Sequence, residues 1–115
     1  MRPFEEVAVS FASALVAGDF ELARSFLTPV LRAECTVAAL HDQLFDMFSG
    51  YAEAPPTSVE FDAEHSLVVW PSMQPGDMGW AYVGIMGEDF VEAVSVSVSE
   101  VNGTPLIREI EWGRP

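Results

Sequence analysis

The chain has 115 residues, with 18 Asp or Glu against five Lys or Arg, and its formal net charge is −13. Half the residues are apolar and 11% are aromatic, which supports a real core and argues against wholesale disorder. Charge of this sign and size works against a nucleic-acid backbone or an anionic membrane surface as partner, since either would repel it.

One domain spanning residues 1–115 is the expectation at this length. Cys35 is the single cysteine and cannot form an internal disulfide, which fits a reducing cytoplasm. Glu5 and Glu6 stand where a signal peptide would carry positive charge. No apolar run approaches the roughly 20 residues of a spanning helix. A cytoplasmic protein of bacterial style is expected.

In chain order, Phe4, Val7, Phe11, Ala14 and Leu15 recur at steps of three and four and predict an amphipathic helix ended by Gly18. Asp19 is placed to cap a second helix, Phe20 to Leu27. Thr28-Pro29 starts a short turn through Arg32. Thr36 caps a third long helix whose buried stripe is Val37, Leu40, Leu44, Met47 and Phe48, with Gly50 as its stop. Ala52 to Pro56 reads as a linker. Five β-type runs follow: Ser58–Ala63, Ser66–Trp70, Trp80–Met86, Phe90–Val101 and Thr104–Trp112. Gln74-Pro75-Gly76-Asp77 has the pattern of a type II turn, and Asn102-Gly103 that of a tight hairpin. Gly87-Glu88-Asp89 reads as a three-residue hairpin loop, and Glu64-His65-Ser66 as a hairpin tip. Three helices laid on an antiparallel meander give an α+β fold.

Pairing out from the two hairpins sets Ser97 against Arg108, Ser95 against Ile110, Ala93 against Trp112 and Tyr82 against Val94. One face then carries Ala81, Val83, Ile85, Ser95, Ser97, Arg108 and Trp112, and is assigned to the helices. The other carries Trp80, Tyr82, Glu92, Val94, Val96, Ile107, Glu109 and Glu111. A single bulge would exchange the faces for part of a strand.

The run from Phe11 through Ala-Leu-Val-Ala-Gly-Asp-Phe to Arg24, followed by Leu27-Thr-Pro and Leu31-Arg32, resembles the N-terminal helices of the nuclear transport factor 2-like superfamily. It looks closest to small uncharacterised bacterial members. The resemblance implies three helices packed into a curved antiparallel sheet, forming a cone with a pocket at its open end. Members of that superfamily include ketosteroid isomerases, dehydratases, polyketide cyclases, transport adaptors and immunity proteins, so the fold alone assigns no activity.

Arg108 is the conspicuous residue, because no Lys or Arg occurs from Ala33 to Ile107. Two readings stand: a guanidinium at a pocket floor receiving an anion, or an ion pair with a helix acid such as Asp42 or Asp46, the commoner state of such a charge. Arg108, Trp112, Ser95 and Ser97 form the candidate ligand set. Trp80, Tyr82, Glu92, Glu109 and Glu111 form a candidate surface for a basic protein partner. His41 reads as an edge histidine of the third long helix and His65 as solvated. Their spacing from carboxylates and Cys35 gives no metal set, and no nucleotide or cofactor fingerprint is present. Trp70 to Trp80, with two tryptophans and two methionines, is either a contact loop or a loop tucked onto the sheet edge. The expected role is non-enzymatic: binding a small apolar or anionic ligand, or a protein partner, as a homodimer formed through the outer sheet face. The alternatives are a lyase or isomerase of polyketide-cyclase or ketosteroid-isomerase type, and an acidic immunity or adaptor protein. The isomerase mechanism needs an Asp base beside a neutral donor in a dry pocket, and no such pair stands out.

Overall fold

The computed structural model describes residues 1–49 and 54–114. Among them are four helices, α1 (Pro3–Ala17), α2 (Phe20–Ser25), α3 (Pro29–Glu34) and α4 (Val37–Phe48). Four strands follow, β1 (Ser58–Phe61), β2 (Asp77–Met86), β3 (Val91–Val101) and β4 (Thr104–Trp112), paired antiparallel in the order β1-β2-β3-β4. The chain is α+β, as its pattern of elements predicts.

Helix boundaries follow the side-chain chemistry. The carboxylate of Asp19 accepts the Leu22 N–H at 3.1 Å, and the hydroxyls of Thr28 and Thr36 accept from Leu31 (3.2 Å) and Ala39 (3.1 Å). Each satisfies one of the amides that a helix start leaves free. Gly18, at φ 77°, closes α1 in the left-handed conformation that only glycine adopts without strain. The turn through Arg32 is a full six-residue helix, α3, so the helix count is four. Gly50 and the Ala52–Glu53 part of the linker lie outside the described residues.

The segment after β1 departs from the hairpin expected there. The Asp62 carboxylate accepts the Glu64 N–H at 2.9 Å and turns residues Ala63–His65 into one 3₁₀ turn. The chain therefore bulges outward and rejoins the same edge of β2, where Leu67 and Trp80 exchange backbone hydrogen bonds of 2.9 and 2.8 Å. Ser66–Trp70 contributes this single bridge, not a strand.

Besides a register shift in β2 between Asp77 and Gly79, which carries Asp77 into the row of Ser99, two local events set the faces of the sheet. First, the loop after β2 holds four residues, Gly87 to Phe90, closed by Gly87 N–H to Phe90 C=O at 3.0 Å. Tyr82 thus lies opposite Ser95, and Met86 opposite Val91. This one-residue shift turns β3 over, placing Val94, Val96 and Val98 in the core and Ser95 and Ser97 on the far side. Second, the Asn102-Gly103 turn forms as expected, with φ 51° and 81° and Val101 opposite Thr104, but β4 bulges at Arg108. Ile107 faces Val98, and beyond the bulge Ser97 pairs with Glu109, Ser95 with Glu111, Val96 with Ile110 and Val94 with Trp112. The extra residue expels Arg108 from the helix-facing row and returns Ile110 and Trp112 to it. Val94, Val96 and Ile107, expected outside, are therefore core residues with at most 1% exposure.

The helices cover one face of this sheet. Phe11, Leu15, Leu40 and Leu44 are at most 1% exposed and pack with Val83, Ile85 and the β3 valines. Phe11 lies 6.5 Å from the Trp112 ring, and Phe48 stacks on Phe90 at 4.6 Å. Phe4 presses so closely on β2 that a Cβ at Gly79 would come within 2.5 Å of its ring. No helix among the described residues is long and apolar enough to cross a membrane.

Candidate functional site

The face turned away from the helices brings most of the chemistry together. Its β2 row is Trp80 and Tyr82, its β3 row is Ser95, Ser97 and Ser99, and its β4 row is Glu109 and Glu111. Alternation fixes these rows once the register is known, because every second side chain of a strand shares a face. The central serines are at most 9% exposed, while Glu109 and Glu111 are exposed. The Trp80 and Tyr82 rings lie 6.4 Å apart, and His65 meets Tyr82 edge-on at 5.8 Å.

At one end of this face lies the charged centre of the molecule. Arg108 donates through Nε to Asp77 Oδ1 at 2.8 Å and through a terminal nitrogen to Oδ2 at 2.7 Å. This is the bidentate geometry in which guanidinium and carboxylate match best. The Ser99 hydroxyl donates to Oδ1, and the Gln74 N–H donates to Oδ2 at 2.8 Å. The Asp77 side chain is fully shielded and that of Arg108 is 17% exposed. Burial alone would raise the Asp77 carboxyl, but the Arg108, Ser99 and Gln74 bonds outweigh it and hold it below its ordinary value. Hydrogen bonding to Asp77 raises the Arg108 pKa in turn, against a smaller opposing effect of burial. Arg108 is thus an ion pair, but its acid is at the start of β2 and not on a helix. Asp42 instead meets its neighbour His41 at 3.1 Å on the exposed side of α4.

The other end of the face is a shallow cavity of about 220 Å³, lined by Glu60, Asp62, His65, Tyr82, Met86 and Glu92 among others. Arg114 approaches Glu92 there, with Nε at 3.7 Å and its backbone N–H at 3.3 Å. Along the β4 edge, a cleft of about 380 Å³ runs between α3, α4 and β4, lined by Leu31, Glu34, Cys35, Gln43, Ile110 and Trp112, with Arg108 and Glu109 at its rim. Burial raises the Cys35 thiol, with only partial relief from Arg24, so it stays protonated at neutral pH.

The candidate ligand set is therefore divided. Trp112 does lie on the helix-facing side, beside Phe11 and the α4 cleft. Ser95, Ser97 and the Arg108 guanidinium belong to the opposite face. Four of the five candidate partner residues, Trp80, Tyr82, Glu109 and Glu111, share that face. Glu92 instead stands opposite Ile85 in the helix-facing row, turned over with Val94 and Val96, and only lines the edge of the Tyr82 cavity. Glu5 went unmarked in the sequence beyond its sign. It is 2% exposed, accepts Arg2 N–H and Nε at 2.9 and 3.1 Å, and accepts the Ser66 hydroxyl at 2.8 Å. Burial raises its carboxyl, yet these bonds dominate and lower it to about 2. Among the described residues no group of three His, Cys, Asp or Glu side chains is placed to hold a metal.

Comparison with protein-family models, with curated proteins and with solved structures found no match for this chain.

Proposed function

We propose that the protein is a binding domain of adaptor or immunity type, which takes a basic protein partner on the sheet face that bears Trp80, Tyr82, Glu109 and Glu111. The observation that carries this reading is the unbalanced charge of that face. Glu109, Glu111, Glu60 and Asp62 are exposed on or beside it, whereas Arg108 is committed to Asp77 and Arg114 approaches Glu92. Aromatic side chains framed by acids supply contact area with low ordering cost, and the field of a −13 chain speeds the approach of a cation. The four-helix start and the antiparallel meander support the nuclear transport factor 2-like reading, with its cone, as the scaffold. A cytoplasmic setting accords with the lone buried thiol.

Two further readings are weaker. The cleft beside Trp112 suits a small ligand that is apolar in part and polar in part, because Leu31, Ile110 and Trp112 line it together with Glu34, Gln43, Arg108 and Glu109. Isomerase-type chemistry asks for a base and a neutral donor in a dry pocket. His65, Asp62 and Tyr82 line an open cavity, and the buried acids Glu5 and Asp77 are saturated with hydrogen bonds.

A labelled peptide of alternating Lys and Gln tests the main reading by fluorescence anisotropy and stopped flow. Association should slow about tenfold from low to physiological ionic strength. The double reversal Glu109→Lys, Glu111→Lys should abolish binding, while Glu6→Lys, Glu21→Lys on the helices should leave affinity within about twofold. Equal losses from the two reversals would mean that the peptide senses net charge and not this face.

A further inference from the structure

We infer that the segment Leu67–Met73 is a prebuilt apolar contact of the proposed interface, and that it takes a partner segment in which apolar and cationic residues alternate. The inference rests on the basic-partner reading and adds to it the site and the chemistry of the contact. Leu67, Val68, Val69 and Met73 are 42%, 49%, 76% and 41% exposed. Single apolar residues at a surface are ordinary, but four within seven consecutive residues, none of them part of the core, concentrate apolar surface on one short loop where polar side chains could stand at no cost to the core.

The loop that presents them is held at both ends by buried carboxylates. Glu5, on α1, grips the Ser66 hydroxyl at 2.8 Å just before the patch. Asp77 receives the Gln74 N–H just after it, and the Arg108 that Asp77 binds also reaches the Ser72 carbonyl at 3.4 Å. Between them Leu67 is paired to Trp80, Trp70 is buried to 7% apart from the main core, and the Met73 N–H returns to the Trp70 carbonyl at 3.1 Å. A buried ion pair rarely stabilises a fold more than apolar residues of the same size would. What Asp77 and Arg108 supply, and apolar residues could not, is a fixed path for Ser72 and Gln74. Rigidity of that kind lowers the ordering cost when a partner binds.

Charge decides the occupant. Asp62 and Glu64 precede the patch, and Glu100 lies at its far end through a 3.0 Å bond from its N–H to the Gly76 carbonyl; all three are exposed. Arg2 and Arg108, the cations at the two anchors, are held by Glu5 and Asp77. A second copy of this chain would bring the same acids against each other, whereas a segment carrying cations between its apolar residues satisfies both the patch and its rim.

The test compares two labelled peptides of equal charge, one alternating Leu and Lys, the other Lys and Gln, against the full chain. The Leu/Lys peptide should bind about tenfold tighter, the scale expected for covering a few half-exposed aliphatic side chains. It should shift the backbone amide signals of Val68, Val69 and Met73. Val68→Ser with Val69→Ser should erase the preference while leaving the thermal midpoint in place, since both residues are exposed. Equal affinity for the two peptides, with the serine variant neutral and the Glu109→Lys, Glu111→Lys variant still inactive, would overturn this inference and leave the basic-partner reading standing. Failure of both peptides to bind would remove that reading and this inference with it. Self-association of the wild-type chain in sedimentation, abolished by the serine variant, would identify the occupant as a second copy and overturn the proposal.

Discussion

Toward the helices, β2, β3 and β4 present Ala81, Val83, Val94, Val96, Ile107 and Trp112; away from them, the same strands present Trp80, Tyr82, three serines and two glutamates. The first set is chosen by volume and interlocks with Phe11, Leu40 and Leu44. The second is chosen by charge and polarity, and its strongest interaction is a single bidentate ion pair. One sheet thus has a face that secures the fold and a face free to carry function, and the two respond to different perturbations. Phe11→Ala attacks the first. Deleting a fully buried ring leaves a cavity between α1 and the sheet, and should cost about 3–5 kcal/mol in denaturant unfolding. Tyr82→Ala, across the sheet and half-buried, should cost about 1 kcal/mol. Comparable losses at the two positions would mean that the outer face is also packed as core.

Arg108→Met is the next largest perturbation and falls on the outer face. It removes the cation and leaves the shielded Asp77 carboxylate with no counter-charge, held only by the Ser99 hydroxyl and the Gln74 N–H, which should lower stability by about 3 kcal/mol. Adding Asp77→Asn should recover part of the loss, because the unpaired buried charge disappears with it. If the double variant is as unstable as the single one, the cost lies in packing around the Arg108 bulge and not in the charge.

The two faces also differ in how far they can be read from the residues. Gly18, Asp19, Thr28 and Thr36 act within a few residues of themselves, and each ends or caps a helix as its chemistry requires. The Pro75-Gly76 and Asn102-Gly103 turns are local in the same way. Register is not local. The loop at Gly87 closes with four residues, and the bulge at Arg108 adds another, so each event reverses the faces for everything beyond it. The two shifts cancel in β4, which is why Trp112 lies where alternation puts it while Ser95, Ser97 and Arg108 do not. A signal for the bulge was present: a lone arginine in an apolar strand is accommodated most cheaply by a step that takes it out of the apolar row. Asp77 gave less warning, since it becomes the partner of Arg108 only once the register sets it beside Ser99. Glu5 gave none, for nothing near it in sequence announces Ser66, 61 positions away.

Acid should loosen the anchors of the apolar loop before it reaches the core. Glu5 titrates at about 2 in the folded chain, below an ordinary value of 4.5, so its contribution is complete above about 4.5 and is lost as the pH falls towards 2. Asp77 is displaced in the same direction and loses its contribution in the same sense. The thermal midpoint should hold through mildly acidic pH and then decline over that window. Glu5→Gln should start lower at neutral pH and decline less steeply, having no carboxylate left to protonate. An identical slope in the variant would place the acid sensitivity in other carboxylates.

The smallest effect on stability should accompany a large effect on binding. Glu109 and Glu111 are exposed, and the 3.8 Å approach of Glu109 to Arg108 adds little beside the Asp77 pair. Converting both to Gln should move the unfolding free energy by no more than about 0.5 kcal/mol. The same change removes two charges from the centre of the proposed contact face, so a basic peptide should associate several-fold more slowly at low ionic strength, a difference that salt screens away. The fully buried residues of the helix-facing side, such as Val94, Val96 and Ile107, cannot behave this way, because there any change large enough to alter binding first alters packing. A fall in stability matching the fall in association would mean that these glutamates hold the sheet together, and the division of labour between its two faces would fail at the strand where it is most exposed to test.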